Sequence, residues 1–264
     1  MKIFRKKILL QKNVLKQKDL SFVPTMGGIH KGHEKMIRIA KSRFKKVLVS
    51  IYINPKQFNS KKDFKSYPRK LKKDISILKR LKVDYLYLPN YSDIFSFKTK
   101  NKIYLHNFSK KLCGKYRKNH FKGVLNVVNR FLEIIKPKYI LLGKKDFQQL
   151  FLIKKHIERN KIHTKVVPCN TVREKNGIAC SSRNYKLTKE KIRILAKIIK
   201  TIKKNKKFLN RKKILNIAKN SGVEKIDYIN FLNTKTLKKP KSRKSKFNIF
   251  FAFYLGKTRL IDNF

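Results

Sequence analysis

The stretch "VPTMGGIHKGHEKMIRIAK", residues 23–41, sets Gly27, Gly28 and Gly32 around His30 and His33, with Glu34 the one acid in the run. Two imidazoles three residues apart, where glycines give way to an amphipathic pattern, allow several kinds of chemistry. They could ligate a metal, although the local chain offers only Glu34 as a further ligand. They could cap a helix and do nothing more. They could also flank a phosphate cradle, where glycines let backbone N–H groups approach an anion and a helix N-terminus adds partial positive charge. Gly27 and Gly32 have the spacing of G-x-x-x-x-G-K-[ST], but His33 stands at the lysine position and Glu34 at the hydroxyl position. That excludes a P-loop, and the G-x-G-x-x-G fingerprint is absent too. In the cradle reading the rings donate hydrogen bonds to a phosphate whose charge grows during displacement, which is nucleotidyl transfer without a covalent enzyme intermediate.

Such residues need a scaffold, and the chain supplies strand-like runs separated by helical patterns. "LSFVPTM" precedes the glycines and "KVLVSIYIN" follows the helix after them. "VDYLYLP", "YILLG" and "TKVVPCNTV" are likewise apolar and rich in β-branched or aromatic residues. Between them Met36, Ile37, Ala40 and Phe44 recur at helical spacing, as do Leu71, Ile75, Leu78 and Leu81. A third helix is expected over Val124, Val127, Val128, Phe131, Leu132 and Ile135, ended by Pro137. This alternation predicts a parallel sheet covered on both faces. After about residue 185 the pattern changes: helices over Lys189–Phe208 and Arg211–Asn220, then two strand candidates, "KIDYINFLN" and "FNIFFAFYLGKTRLID", flanking the basic segment "KTLKKPKSRKSK". A smaller α+β domain with an antiparallel sheet is expected there.

Composition narrows the classes less than its extremity suggests. A 264-residue chain with 41% hydrophobic residues can bury a sizeable core, so it is no disordered polycation. Its 71 Lys and Arg against 14 Asp and Glu give +57, a balance that invites nucleic acid. The cations are scattered rather than gathered in one tail, however, which favours a solvated surface over a dedicated nucleic-acid or membrane face. Cys113, Cys169 and Cys180 form no C-x-x-C pair and suit a reducing compartment. No apolar run is long enough for a signal peptide or a membrane span, so a cytoplasmic setting is expected.

"PTMGGIHKGH" resembles the H-x-G-H signature of the nucleotidyltransferase superfamily, and the preceding "PTMG" narrows the likeness to the pantoate–β-alanine ligases. Further segments resemble that family in order: "VSIYINPKQF", "YPRKLKKDISIL", "FKGVLNVVNRFLEIIKP" with "LLGKKDFQQL", "TVREKNGIACSSRN" and "YLGKTRLIDN". The resemblance implies a Rossmann-like parallel sheet with helices on both faces over residues 1–184, binding ATP and pantoate. It implies a smaller C-terminal α+β lid domain over residues 185–264. The family activates pantoate's carboxylate as pantoyl adenylate, then passes the acyl group to the amine of β-alanine, releasing AMP.

Carried onto this chain, the likeness implies an ATP site over Met26, Gly27, Gly28, Ile29, His30, Lys31, Gly32 and His33, with His33 the proton donor and His30 a second phosphate contact. It adds Gly143, Lys144, Lys145 and Asp146, with Lys145 neutralising phosphate, although the family usually has glutamate at Lys144. Val172, Cys180, Ser181, Ser182 and Arg183 complete the nucleotide contacts, Cys180 replacing the usual methionine. Gln57 and Gln149 match the glutamines that meet pantoate, Gln57 also meeting β-alanine. Magnesium is implied by the triphosphate, with Asp74 the matching acid beside Lys73, where relatives carry a second acid. Tyr67, Arg117 and His120 match positions near the substrates. Homodimers are usual in the family, and no specific nucleic acid is implied.

Overall fold

A computed structural model describes residues 1–204, 206, 210–242 and 245–264. The chain divides into two compact units: Met1–Ser109 with Arg117–Asn170, and Lys110–Tyr116 with Thr171–Phe264.

The first unit runs β1 (Lys2–Phe4), α1 (Lys7–Val14), β2 (Leu20–Thr25), α2 (Lys31–Arg43) and β3 (Lys46–Ile51). It continues through α3 (Lys61–Lys65), α4 (Leu71–Arg80), β4 (Tyr85–Tyr87) and α5 (Tyr91–Phe95). After α6 (Cys113–Tyr116), which belongs to the second unit, come α7 (His120–Ile135), β5 (Tyr139–Gly143), α8 (Phe147–Arg159) and β6 (Lys165–Cys169). The six strands pair in the order β1-β4-β3-β2-β5-β6, all parallel.

Burial on both faces explains the continuous apolar runs, because successive side chains of one strand point to opposite layers. Val23, Val49 and Leu86 pack on one face with Ile37 and Ala40 of α2 and Leu78 of α4. Phe22 points the other way, its ring centroid 5.5 Å from that of Phe131 on α7. The α7 helix ends where Lys136 turns left-handed at φ 47°, one residue before Pro137, as the sequence predicts. Strand order reverses between β2 and β5, so the crevice beyond their carboxyl ends is the place where an open parallel sheet receives a ligand.

In the second unit α9 (Lys189–Lys204) and α10 (Arg211–Asn220) pack on an antiparallel sheet of β7 (Lys225–Leu232), β8 (Asn248–Leu255) and β9 (Thr258–Asn263). Leu195, Ile198 and Ile202 meet Ile229, Phe251 and Phe253 in its core. One expectation changes. The run "FNIFFAFYLGKTRLID" is two strands, because Gly256 takes φ 58° and turns the chain back on itself. Of the first predicted helix, the described part ends at Lys204; Phe208 lies outside the described residues, as do Arg243 and Lys244 of the basic segment. Among the described residues no helix is long and apolar enough to cross a membrane.

Candidate active site

The carboxyl ends of β2 and β5 carry the two segments singled out by sequence. Thr25, the last residue of β2, donates from Oγ1 to Ser50 O at 2.7 Å and accepts Gly27 N–H at 3.1 Å. Gly27 and Gly28 then take φ 78° and 62°, where a side chain is strained. At Gly27 a Cβ would also press on Asp74 Oδ2 at 3.0 Å and on Ile51 at 3.1 Å.

Asp74 explains this crowding. It sits in the first turn of α4, 2% exposed, and its two carboxylate oxygens accept consecutive backbone N–H groups: Gly28 at 2.9 Å and Ile29 at 2.8 Å. Asp74 is thus the anchor that shapes the glycine loop. A consequence corrects the simple cradle picture: the N–H groups of Gly27, Gly28 and Ile29 turn inward to Thr25 and Asp74, not outward.

His30 caps α2. Its backbone is extended (φ −133°, ψ 172°), and its Nδ1 accepts Gly32 N–H at 3.1 Å, satisfying one of the donors left open at a helix start. One turn on, His33 stacks on it with ring centroids 4.0 Å apart and planes 29° from parallel. His33 keeps part of its surface accessible, yet its Nδ1 is closed off from solvent and has no partner among the described residues. Burial holds this imidazole well below its ordinary 6.5, and the neighbouring His30 ring and Lys145 ammonium push the same way. His33 is therefore neutral, with one N–H to donate.

Lys145 comes from the turn Lys144–Asp146, directly after Gly143 ends β5. Lys145 Nζ lies 3.5 Å from Asp146 Oδ1, while Lys144 Nζ reaches Asn170 Oδ1 at 2.8 Å. Asp146 is exposed. Gln149 is half-buried in the first turn of α8, and its neighbour Gln148 is buried, donating to Phe108 O at 2.7 Å.

Gln57 lies 9% exposed at the end of a short turn after Pro55. Its Nε2 contacts Met26 Sδ at 2.7 Å and its Oε1 accepts from Asn54 Nδ2 at 3.3 Å, so it is tied to the start of the glycine loop. Asn54 and Thr25 were not singled out by sequence; the signal for Asn54 is the Asn-Pro step, which favours turn initiation.

The first unit thus brings together Met26–His33, Gln57, Asp74 and Lys145. Val172, Cys180, Ser181, Ser182 and Arg183 belong to the second unit. There Val172 O accepts Cys180 N–H at 2.9 Å, and buried Cys180 directs its thiol to Glu174 Oε1 at 3.3 Å. Ser181 caps the turn Ser182–Lys186, and Arg183 donates to Arg259 O at 3.1 Å. Arg173 holds this segment on β9, forking onto both carboxylate oxygens of Asp262 at 2.6 and 3.0 Å. Among 71 Lys and Arg, nothing in the sequence distinguishes Arg173.

The donor set does not fit a protein-held magnesium ion. Both Asp74 oxygens are engaged by backbone, Asp146 is exposed beside Lys145, and among the described residues no three His, Cys, Asp or Glu side chains gather where they could hold a metal.

The comparisons agree with this architecture along the whole chain. The family "Pantoate-beta-alanine ligase" matches residues 2–264. The chain belongs to this family. It is 40% identical over 259 residues to the pantothenate synthetase of Francisella tularensis subsp. novicida, covering 97% of this chain and 92% of that relative. Its structure is similar to that of the Francisella tularensis pantoate-beta-alanine ligase complexed with beta-gamma ATP and beta-alanine, with a TM-score of 0.87, 38% identity, and coverage of 100% and 97%. Pantothenate synthetase from Thermus thermophilus superimposes with a TM-score of 0.90 at 26% identity, covering 100% and 99%. As a pantoate-beta-alanine ligase, the chain departs from simple expectation in the loop, whose shape is set from within by one aspartate.

Proposed function

We propose that this chain condenses (R)-pantoate with β-alanine, using ATP, to give pantothenate, AMP and diphosphate. The observation that carries this reading is the neutral, stacked His33 beside Lys145 at the point where strand order reverses. A pantoate carboxylate oxygen attacks the α-phosphorus and diphosphate departs with the electron pair of the broken P–O bond. The β-alanine amine then attacks the acyl carbonyl, losing a proton, and AMP leaves.

His33 donates to the α-phosphate. Anionic triphosphate opposes the Lys145 and His30 fields, so nucleotide binding draws the ring back toward its charged, stronger donor form. His30 and Lys145 are proposed to steady the phosphates, and Arg183 to fork onto them. Met26–His33, Gly143–Asp146, Val172 and Cys180–Ser182 are the remaining proposed nucleotide contacts. Gln57 and Gln149 are proposed to orient pantoate, since a neutral amide offers both donor and acceptor to hydroxyls and a reacting carboxylate.

Magnesium would enter with the nucleotide substrate rather than on a protein site, and would there offset triphosphate charge. Residues 1–184, of which the stretch from Thr171 folds with the second unit, are proposed to carry the ATP and pantoate sites, and residues 185–264 are proposed as the lid. A cytoplasmic homodimer is assigned on family likeness. The test is AMP release in the presence of all three substrates and with each omitted in turn. Release only with the full set supports the reading; release independent of β-alanine contradicts it.

A further inference from the structure

Two side chains on the turn entering α7 converge on one carbonyl. His120 Nδ1 lies 2.8 Å from Gln57 O, and Arg117 Nη2 donates to the same oxygen at 3.2 Å. Arg117 Nη1 lies 2.8 Å from His120 Nε2. A carbonyl can only accept and a guanidinium can only donate, so His120 carries its proton on Nδ1 and accepts on Nε2. The three groups close a ring in which each hydrogen bond demands the next.

The surroundings hold that ring in place. Asn119, between Arg117 and His120, is left-handed at φ 61°, a conformation asparagine tolerates. Asn54 Nδ2 donates to Gly123 O at 3.1 Å, and a Cβ at Gly123 would collide with Lys56 O. The turn bearing Gln57 is therefore moulded against the first turn of α7. His120 is 7% exposed, so its bonds form away from water and the carbonyl has little freedom to swing.

We propose that Arg117 and His120 are positioning residues for Gln57: by fixing its peptide group they set the direction from which its amide meets pantoate. This rests on the reading of Gln57 as a pantoate ligand. Neither side chain need touch substrate. Losing the clamp costs pantoate recognition and leaves the nucleotide site, built on β2, α4 and β5, unchanged.

The experiment measures kcat and the separate KM values for pantoate and ATP, with thermal unfolding of every variant. The variants are Gln57→Ala, His120→Ala, His120→Asn, Arg117→Met and the double variant Gln57→Ala/His120→Ala. His120→Ala and Arg117→Met are expected to raise the pantoate KM about tenfold, the scale of one or two buried hydrogen bonds, with the ATP KM within about twofold. His120→Asn, whose amide still donates to the carbonyl, should recover most of the loss. The double variant should be no worse than Gln57→Ala alone, because a clamp has nothing left to position.

Unchanged pantoate KM in both clamp variants, while Gln57→Ala raises it, overturns the clamp alone. Additive losses in the double variant also overturn it, since they mark a merely structural role. An unaltered pantoate KM in Gln57→Ala overturns the Gln57 reading and the clamp with it. Should His120→Ala fail to fold, half-exposed Arg117→Met decides the matter.

Discussion

His30 and His33 lie face to face, ring centroids 4.0 Å apart, one capping α2 and the other a turn inside it. Burial already disfavours a proton on His33, the facing His30 ring opposes it further, and Lys145 adds another positive field. The free protein therefore keeps a neutral His33 at a place where anionic phosphate would reverse the balance. The arrangement is a site whose charge is completed by its substrate.

Asp74 anchors the loop that presents these rings. Asparagine has one acceptor oxygen, so Asp74→Asn leaves Gly28 N–H or Ile29 N–H without its partner. A loss of about 1–3 kcal/mol in denaturant unfolding is expected, in buffer free of metal. The ATP KM should rise while the dependence on magnesium concentration keeps its midpoint. A shifted midpoint without loss of stability would instead mark Asp74 as a metal ligand.

Gly27→Ala forces a side chain into the left-handed region and against Asp74 Oδ2. The strain is on the order of 1–2 kcal/mol, and relief requires the loop to move away from Asp74. Weakened ATP binding by calorimetry, with pantoate binding retained, is the expected outcome.

Sequence made much of this legible, and its failures have physical causes. Apolar runs located β2, β3 and β5, because strands buried on both faces leave little room for polar residues. The three-residue edge strand β1 escaped notice, being too short for any period to register. Helix α8 is hard to see in sequence because its first turn carries the polar pair Gln148 and Gln149, which blurs the apolar period. Asp74 matched a metal-binding position by likeness. Only the fold shows that α4 delivers its carboxylate to backbone 46 residues earlier. The Gln57 clamp was equally hidden, since His120 and Arg117 act on a main-chain oxygen and no pattern of side chains encodes that.

His156 makes stability sensitive to acid. Buried without exposure, it accepts Tyr104 N–H on Nδ1 at 3.2 Å and meets Asn129 Oδ1 through Nε2 at 3.0 Å. Burial pushes it down to about 4, against the opposing pull of Glu133. The unfolded chain binds this proton near 6.5 and the folded chain does not, so stability is full above about pH 6.5 and falls as the pH drops toward 4. The loss is on the order of 3 kcal/mol. His33, also depressed, contributes in the same direction. Urea unfolding between pH 7 and 4 should show this slope, and His156→Asn should flatten it.

A net charge of +57 repels itself. Three of the 14 acids are committed to holding structure: Asp84 to Lys41, Lys46 and Val47 N–H, Asp227 to Arg259, and Asp262 to Arg173. The reach of charge–charge repulsion falls from about 30 Å at 0.01 M salt to about 8 Å at 0.15 M. Unfolding temperature is expected to rise across that range, and a flat or falling trend would contradict the self-repulsion.

The role of His33 in activating pantoate admits a direct measurement. Pantoate-dependent exchange of labelled diphosphate into ATP, with β-alanine omitted, reads adenylate formation alone. At saturating ATP, His33→Ala is predicted to slow exchange about 100-fold or more while its unfolding temperature stays near that of the unaltered protein. Exchange within about threefold of the unaltered protein would contradict the assignment of His33 as the donor to the reacting phosphate.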